Sequence, residues 1–232
     1  HPSLRDLGYA MGNSEVIHNM AYEKLLDVLG ITDIFERNLE NPIIAGRVDY
    51  LRKYSQKAFK DERKQYIYAI TLFTLFVENV SLFQFYIILH MNKNKAILKD
   101  TAQQVKYTRN EEMLHAQCGI KIINTMREEY PELFDAELEA RIAEEIEAAI
   151  GYESNVIRWI MGDYEELGLS SDILIEFIKK RMVDSLKQIG FNHNITYDAE
   201  AIKLTKWFDE GLYGTNMVDF FHGRPVDYSR GQ

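Results

Sequence analysis

Between about Asp61 and His90, apolar side chains recur at helical spacing (Tyr66, Ile70, Phe73, Val77, Val80, Leu82), with no Pro or Gly among them. That pattern predicts one long helix. From Thr71 to Leu89 the run is apolar nearly all round, interrupted mainly by Glu78 and Asn79, which places it at the centre of a bundle. A second helix is expected over about 96–129, stopped by Pro131. A third is expected from Asp135 past Ile160 to Gly162, its Glu-rich opening half suited to a helix start and a solvated face. Ser170-Ser171-Asp172 offers an N-cap for a helix to Ile189, closed by Gly190. Near the beginning, Asn13-Ser14 reads as the cap of a helix ending at Gly30, Thr32–Leu39 as a shorter helix, and Pro42 as the first position of one running to about Phe59. There is no Asn-Gly or Asp-Gly hairpin signal and no internal repeat. The expectation is an all-α fold: one domain over residues 1–215 and a loosely structured tail at 216–232.

Composition supports that class. Apolar residues make up 46% and charged residues 27%, as in ordinary globular chains. Four Pro and 13 Gly are few for a sandwich or barrel with many tight turns. With 27 basic against 36 acidic side chains the net charge is −9, so a nucleic-acid partner is not expected. The single cysteine, Cys118, excludes an intrachain disulfide or a multi-cysteine zinc site and suits a reducing compartment, so a cytoplasmic location is expected. No charge-free run of 18 apolar residues occurs, and no membrane span is expected. The chain opens His1-Pro2, with no initiator Met and no basic-then-apolar leader, which points to a natural N-terminus further upstream.

The chemistry lies in carboxylates and histidines. Glu15 and His18 are three apart, and Glu112 and His115 repeat the spacing. Positions i and i+3 share a helix face and can ligate one metal. Either pair alone is weak, because Glu is abundant on solvated helix faces. Glu78 changes the weighting: it sits in the most apolar stretch, with no Lys or Arg between Lys64 and Lys93. A lone carboxylate there costs several kcal/mol, of order 2–7, unless it is partnered or stays protonated. A metal ion would keep it ionised; a hydrogen bond from a buried Tyr or Asn is the plainer explanation. One Glu plus two Glu-x-x-His pairs is the dinuclear carboxylate pattern of four-helix bundles, and its oxygen-rich ligation suits iron or manganese. The pattern calls for one more carboxylate, and Glu153 is an inner-face candidate. Tyr22 lies seven residues after Glu15 and four after His18, on the ligand face, where it could be core filler or a group for one-electron oxidation. Leu82, Tyr86 and Thr108 are expected to shield it.

Three segments then carry a family resemblance: Ser14-Glu15-Val16-Ile17-His18-Asn19-Met20-Ala21-Tyr22, Val77-Glu78-Asn79-Val80-Ser81-Leu82-Phe83, and Glu111-Glu112-Met113-Leu114-His115-Ala116. In this order, with 34 residues from Glu78 to Glu112, they resemble the small (β, radical-generating) subunit of class I ribonucleotide reductase, of the ferritin-like superfamily. The ending Asp219-Phe220-Phe221-His222-Gly223-Arg224-Pro225-Val226-Asp227-Tyr228 is similar to that family's. The resemblance implies a ferritin-like helical bundle and a homodimer that works with a separate large (α) subunit to reduce ribonucleotides for DNA replication. It implies Glu15 and Glu112 as bridging ligands, with Glu15 and His18 serving one metal and Glu78 and His115 the other. Two iron ions, or two manganese ions, would oxidise Tyr22 or hold the oxidising equivalent themselves.

The chain departs from the family in three places. The family's first ligand, an Asp, and a Trp of its radical-transfer route would both lie upstream of His1. Where the family has Arg-Asp-Glu, this chain reads Arg109-Asn110-Glu111-Glu112, which puts Glu111 at the position of the route's Asp. His1, His90, His193 and His222 have no ligand spacing and read as surface or packing residues, and Cys118 reads as buried filler. The rival readings are a ferritin-like dimetal oxygenase or oxidase, a metal-storage cage, and a metal-free structural bundle.

Overall fold

The computed structural model describes residues 2–213; the expected tail, with Asp219–Tyr228 and His222, lies outside them. The helices run α1 (Pro2–Leu29), α2 (Thr32–Leu39), α3 (Pro42–Leu51), α4 (Glu62–Ile70), α5 (Phe83–Lys95), α6 (Lys99–Glu129), α7 (Ala136–Met161), α8 (Ser171–Ile189), α9 (Ala199–Lys203) and α10 (Lys206–Tyr213). Among the described residues there is no strand, and the all-α expectation holds. Local chemistry sets many of the boundaries. The side chains of Asn41, Asp135 and Ser170 accept the backbone N–H groups of Ile43, Leu138 and Ile173, satisfying donors that a helix start leaves unpaired. Gly190 ends α8 at φ 69°, a left-handed conformation that glycine adopts without a steric cost.

Two boundaries differ from expectation. α1 begins at Pro2 and runs straight through Asn13 and Ser14. Nothing before Asn13 breaks the helix, and the Ser14 hydroxyl donates across to Glu111 Oε2 at 3.2 Å instead of capping. α3 stops at Leu51 and passes through a 3₁₀ turn, Arg52–Ser55, well short of Phe59. There Gln65 Oε1 accepts the N–H groups of Ala58 and Phe59, which holds that segment out of a helical ladder.

The central helix is the main departure. After α4 the backbone widens into a π turn over Thr71–Val77, then tightens into a 3₁₀ turn at Val80–Leu82 before α5. The Glu78 N–H reaches back five residues to the Phe73 carbonyl at 3.1 Å. Thr71 and Thr74 hydroxyls donate to the Ile67 and Ile70 carbonyls, a back-bonding that loosens the ordinary ladder. π turns concentrate at functional sites, and this one ends at Glu78. Gly119 of α6 faces it so closely that a Cβ there would stand 2.0 Å from Thr74 Oγ1; only glycine allows this approach.

The core runs along the same axis, with Tyr68, Leu72, Leu75, Phe76, Phe83 and Tyr86 all buried. Glu62–Lys95 is long and apolar enough by composition to cross a membrane, but 67% of its apolar window is buried inside the bundle. That burial is what a core helix shows. α6 packs against α5 and the π turn, and α7 against α3 and α8.

Candidate metal centre

Three elements supply the site. α1 presents Glu15, His18 and Tyr22; α6 presents Thr108, Glu111, Glu112 and His115; the end of the π turn presents Glu78. His115 Nδ1 lies 3.2 Å from Glu15 Oε1, 3.3 Å from Glu78 Oε1 and 3.3 Å from Glu112 Oε2. His18 Nδ1 lies 3.0 Å from Glu112 Oε1 and 3.6 Å from Glu15 Oε2. Glu15 and Glu112 therefore face both imidazoles, while Glu78 faces His115. Ligand atoms of Glu15, Glu78, Glu112 and His115 all fall within 4.8 Å of one another.

These contacts are close but misaligned as hydrogen bonds. Glu15 Oε1, both Glu78 oxygens, Glu112 Oε2 and the Nδ1 atoms of His18 and His115 are buried and make no hydrogen bond. Buried polar atoms are rarely left so. Lone pairs from carboxylates and imidazoles aimed at a common space fit a cation between them, and oxygen-rich sets with one imidazole per ion suit iron or manganese.

Glu111 completes the His18 side. Its Oε2 lies 2.5 Å from His18 Nε2 and accepts the Ser14 hydroxyl. A carboxylate on the outer nitrogen fixes the ring's orientation and leaves Nδ1 free to ligate. Glu15 is 41% exposed at its side chain, against 5% for Glu78 and 6% for His115, so the pocket is closed on the Glu78 side and open beside Glu15.

The electrostatics follow from burial without a cation. Desolvation pushes the Glu78 carboxyl up to about 7, the nearby Glu112 adding to the rise against His115. Burial alone would lower His115, but Glu112, Glu15 and Glu78 overcome it and push the imidazole up to about 12. His115 pulls Glu15 below the usual carboxylate range. The signs can be worked out. Glu78 and His115 bind protons more tightly in the fold, so their contributions to stability are lost as pH rises. The Glu78 share is present below about 4.5 and gone above about 7, whereas the His115 share, present below 6.5, persists until about 12. Glu15 works oppositely, contributing above 4.5 and losing its share as pH falls through its lowered value. Urea unfolding of the chelator-treated protein should therefore show a midpoint that declines between pH 4.5 and 7, and Glu78→Gln should flatten that decline. An equal slope in both proteins would refute the assignment.

Tyr22 is half-buried, stacked on Phe85 at 6.5 Å between centroids. Burial holds its phenol above the ordinary range, against a smaller lowering by Thr108, with Glu112 adding to the rise. Its hydroxyl has no hydrogen-bond partner among the described residues. Leu82 and Thr108 are buried. Tyr86 is not where the pattern put it. Its hydroxyl donates to the Gly168 carbonyl at 2.7 Å, and its ring packs on Phe177, Trp207 and Phe208. Phe85, one residue earlier on α5, is the ring that stacks against Tyr22.

Glu153 also departs from expectation. It is fully buried, but Arg47 Nε donates to its two oxygens at 3.0 and 3.1 Å and Ser81 Oγ donates at 2.8 Å. This carboxylate is already neutralised and does not join the ligand set. Cys118 is free and half-buried. His90 is a packing residue, its Nε2 3.1 Å from Glu166 Oε1.

The family model described as "Ribonucleotide reductase, small chain" matches residues 1–200. A ribonucleoside-diphosphate reductase subunit beta from Aquifex aeolicus is 38% identical over 122 residues, 50% of this chain and 16% of that protein. Its namesake from Chlamydia pneumoniae is 21% identical over 98% of this chain and 67% of its own length. A Bacillus halodurans crystal structure, assigned provisionally to class I ribonucleotide reductase, superposes with a TM-score of 0.71 at 20% identity, covering 91% of this chain and 76% of that one. The shared architecture is thus an all-helical bundle.

Proposed function

This chain belongs to the ribonucleotide reductase small-chain family, and from that premise we propose that it generates and stores an oxidising equivalent for a separate large subunit, which reduces ribonucleotides to deoxyribonucleotides. The observation that carries the reading is the convergence of Glu15, Glu78, Glu112 and His115 within 4.8 Å, with His18 Nδ1 beside Glu112. Glu15 and Glu112 would bridge two ions, His18 would complete one and Glu78 with His115 the other. The pocket's open side beside Glu15 is accessible to a further carboxylate of the kind the resemblance places upstream.

Two iron ions, or alternatively two manganese ions, would supply the oxidising power, with molecular oxygen as the terminal oxidant, to take one electron together with the phenolic proton from Tyr22. The chain's own residues set the conditions. The Tyr22 hydroxyl is free of hydrogen bonds, Phe85 covers the ring, and Thr108 and Leu82 are buried. Water is thereby kept from a radical held there. The Ser14–Glu111–His18 chain of contacts would lead from the metals toward the protein surface as the route to the large subunit. A homodimer working in the cytoplasm completes the proposal; the net charge of −9 disfavours nucleic acid as a partner, and the burial of the apolar window found among the described residues disfavours a membrane. An oxygenase would need open space beside the metals; the bulky side chains Leu82, Phe83 and Phe85 that follow Glu78 are all buried, which favours a filled interior.

Anaerobic loading with iron(II), then exposure to air, should give the paramagnetic signal of a tyrosyl radical. Tyr22→Phe should abolish that signal while leaving ion binding at the wild-type level. The same signal persisting in Tyr22→Phe would contradict the assignment.

A further inference from the structure

Glu78 stands where a π turn gives way to a 3₁₀ turn, and such a junction does not by itself fix where a side chain points. The next residue, Asn79, is buried and gripped from α8 by two side chains one turn apart. Arg181 Nε donates to the Asn79 carbonyl at 2.7 Å, and an Arg181 terminal nitrogen donates to Asn79 Oδ1 at 2.5 Å. Asn79 Nδ2 donates to Ser185 Oγ at 2.7 Å. The same guanidinium reaches Met113 Sδ at 3.1 Å, next to Glu112, and donates to Asp209 Oδ1 of α10 at 2.9 Å. It lies over the rings of Phe177 and Phe208, 5.3 and 5.7 Å from their centroids. One buried cation thus touches the chain neighbours of two ligands and the helix α10 together.

A buried arginine is a costly way to join helices that apolar side chains could join. Its bidentate grip on one residue supplies direction as well as attraction. We propose that Arg181 is a positioning residue that holds Glu78 toward the metal pocket by locking Asn79, and that Asp209 ties this lock to α10. The proposal rests on the dimetal reading above. Groups that orient metal ligands from behind typically account for about 10–100-fold in metal affinity.

The test is a manganese(II) titration of the whole chain, read by electron paramagnetic resonance. Wild type should take up two ions with an exchange-coupled spectrum. Arg181→Gln should keep the ion at Glu15, His18 and Glu112 but bind the second at least about 10-fold more weakly, giving the spectrum of an isolated ion. Arg181→Lys, which can reach one acceptor but not both, should recover part of the coupled signal. Both ions bound by Arg181→Gln with wild-type affinity would overturn the proposal. So would equal weakening of both ions, since that marks a merely structural role. Should Arg181→Gln fail to fold, Ser185→Ala carries the question: selective weakening of the second ion supports the lock, and unchanged binding overturns it. Wild type taking up fewer than two ions would remove the dimetal reading itself.

Discussion

Glu112→Ala should abolish binding of both metal ions, whereas Glu78→Gln should abolish one. The asymmetry follows from the contacts. Glu112 places one oxygen 3.0 Å from His18 Nδ1 and the other 3.3 Å from His115 Nδ1, so it faces both positions. Of the two imidazoles, Glu78 faces His115. A carboxylate shared by two ions screens their mutual repulsion, and without it neither position retains enough negative charge. Elemental analysis after loading and desalting, compared with wild type, measures the effect directly. Equal losses in the two variants would contradict the bridging arrangement. Because ligands must shed protons to bind, affinity should also rise with pH, and the rise should become shallower above about 7, where Glu78 has already lost its proton.

The second large effect is on stability. Arg47→Met should destabilise the protein by about 3–5 kcal/mol, the usual consequence of stranding a buried charge. Glu153 is fully buried on α7, and its two oxygens are satisfied by Arg47 of α3 and by Ser81, just past Glu78. Removing the guanidinium leaves the carboxylate with one neutral donor. Arg47→Met combined with Glu153→Leu should recover most of the loss, because an apolar pair of similar volume can replace a buried ion pair at little net cost. Urea unfolding of the two proteins measures this. A loss below about 1 kcal/mol in the single variant, the scale of an exposed ion pair, would contradict the buried-pair account of Arg47 and Glu153.

How much of this was legible in the sequence depended on the range of each interaction. Glu15, His18 and Tyr22 share a helix face because their spacings of three, four and seven suit a 3.6-residue period, and a linear pattern suffices to find them. Glu78 stood out as an acid without a counter-charge in an apolar run; it is buried, beside Glu15, Glu112 and His115. Glu153 was an inner-face candidate for a further ligand and misled, because its partner Arg47 lies 106 residues away in sequence. Periodicity carries no information about such a pairing. The π turn was hidden as well. Thr71 and Thr74 are ordinary hydroxyls in the sequence, and only their back-bonding and the close approach of Gly119 reveal the widened backbone. Phe85 stands against Tyr22, where Tyr86 was expected. The lock on Asn79 by Arg181 spans 102 residues and was invisible for the same reason as Glu153–Arg47.

Anomalous X-ray scattering from crystals loaded with iron, recorded at the iron edge, tests the central claim most directly. The expected map has two peaks, about 3.5–4 Å apart as in other two-metal sites, lying between His18 Nδ1 and His115 Nδ1 and each within bonding distance of Glu112. A single peak, or density away from these side chains, would contradict it.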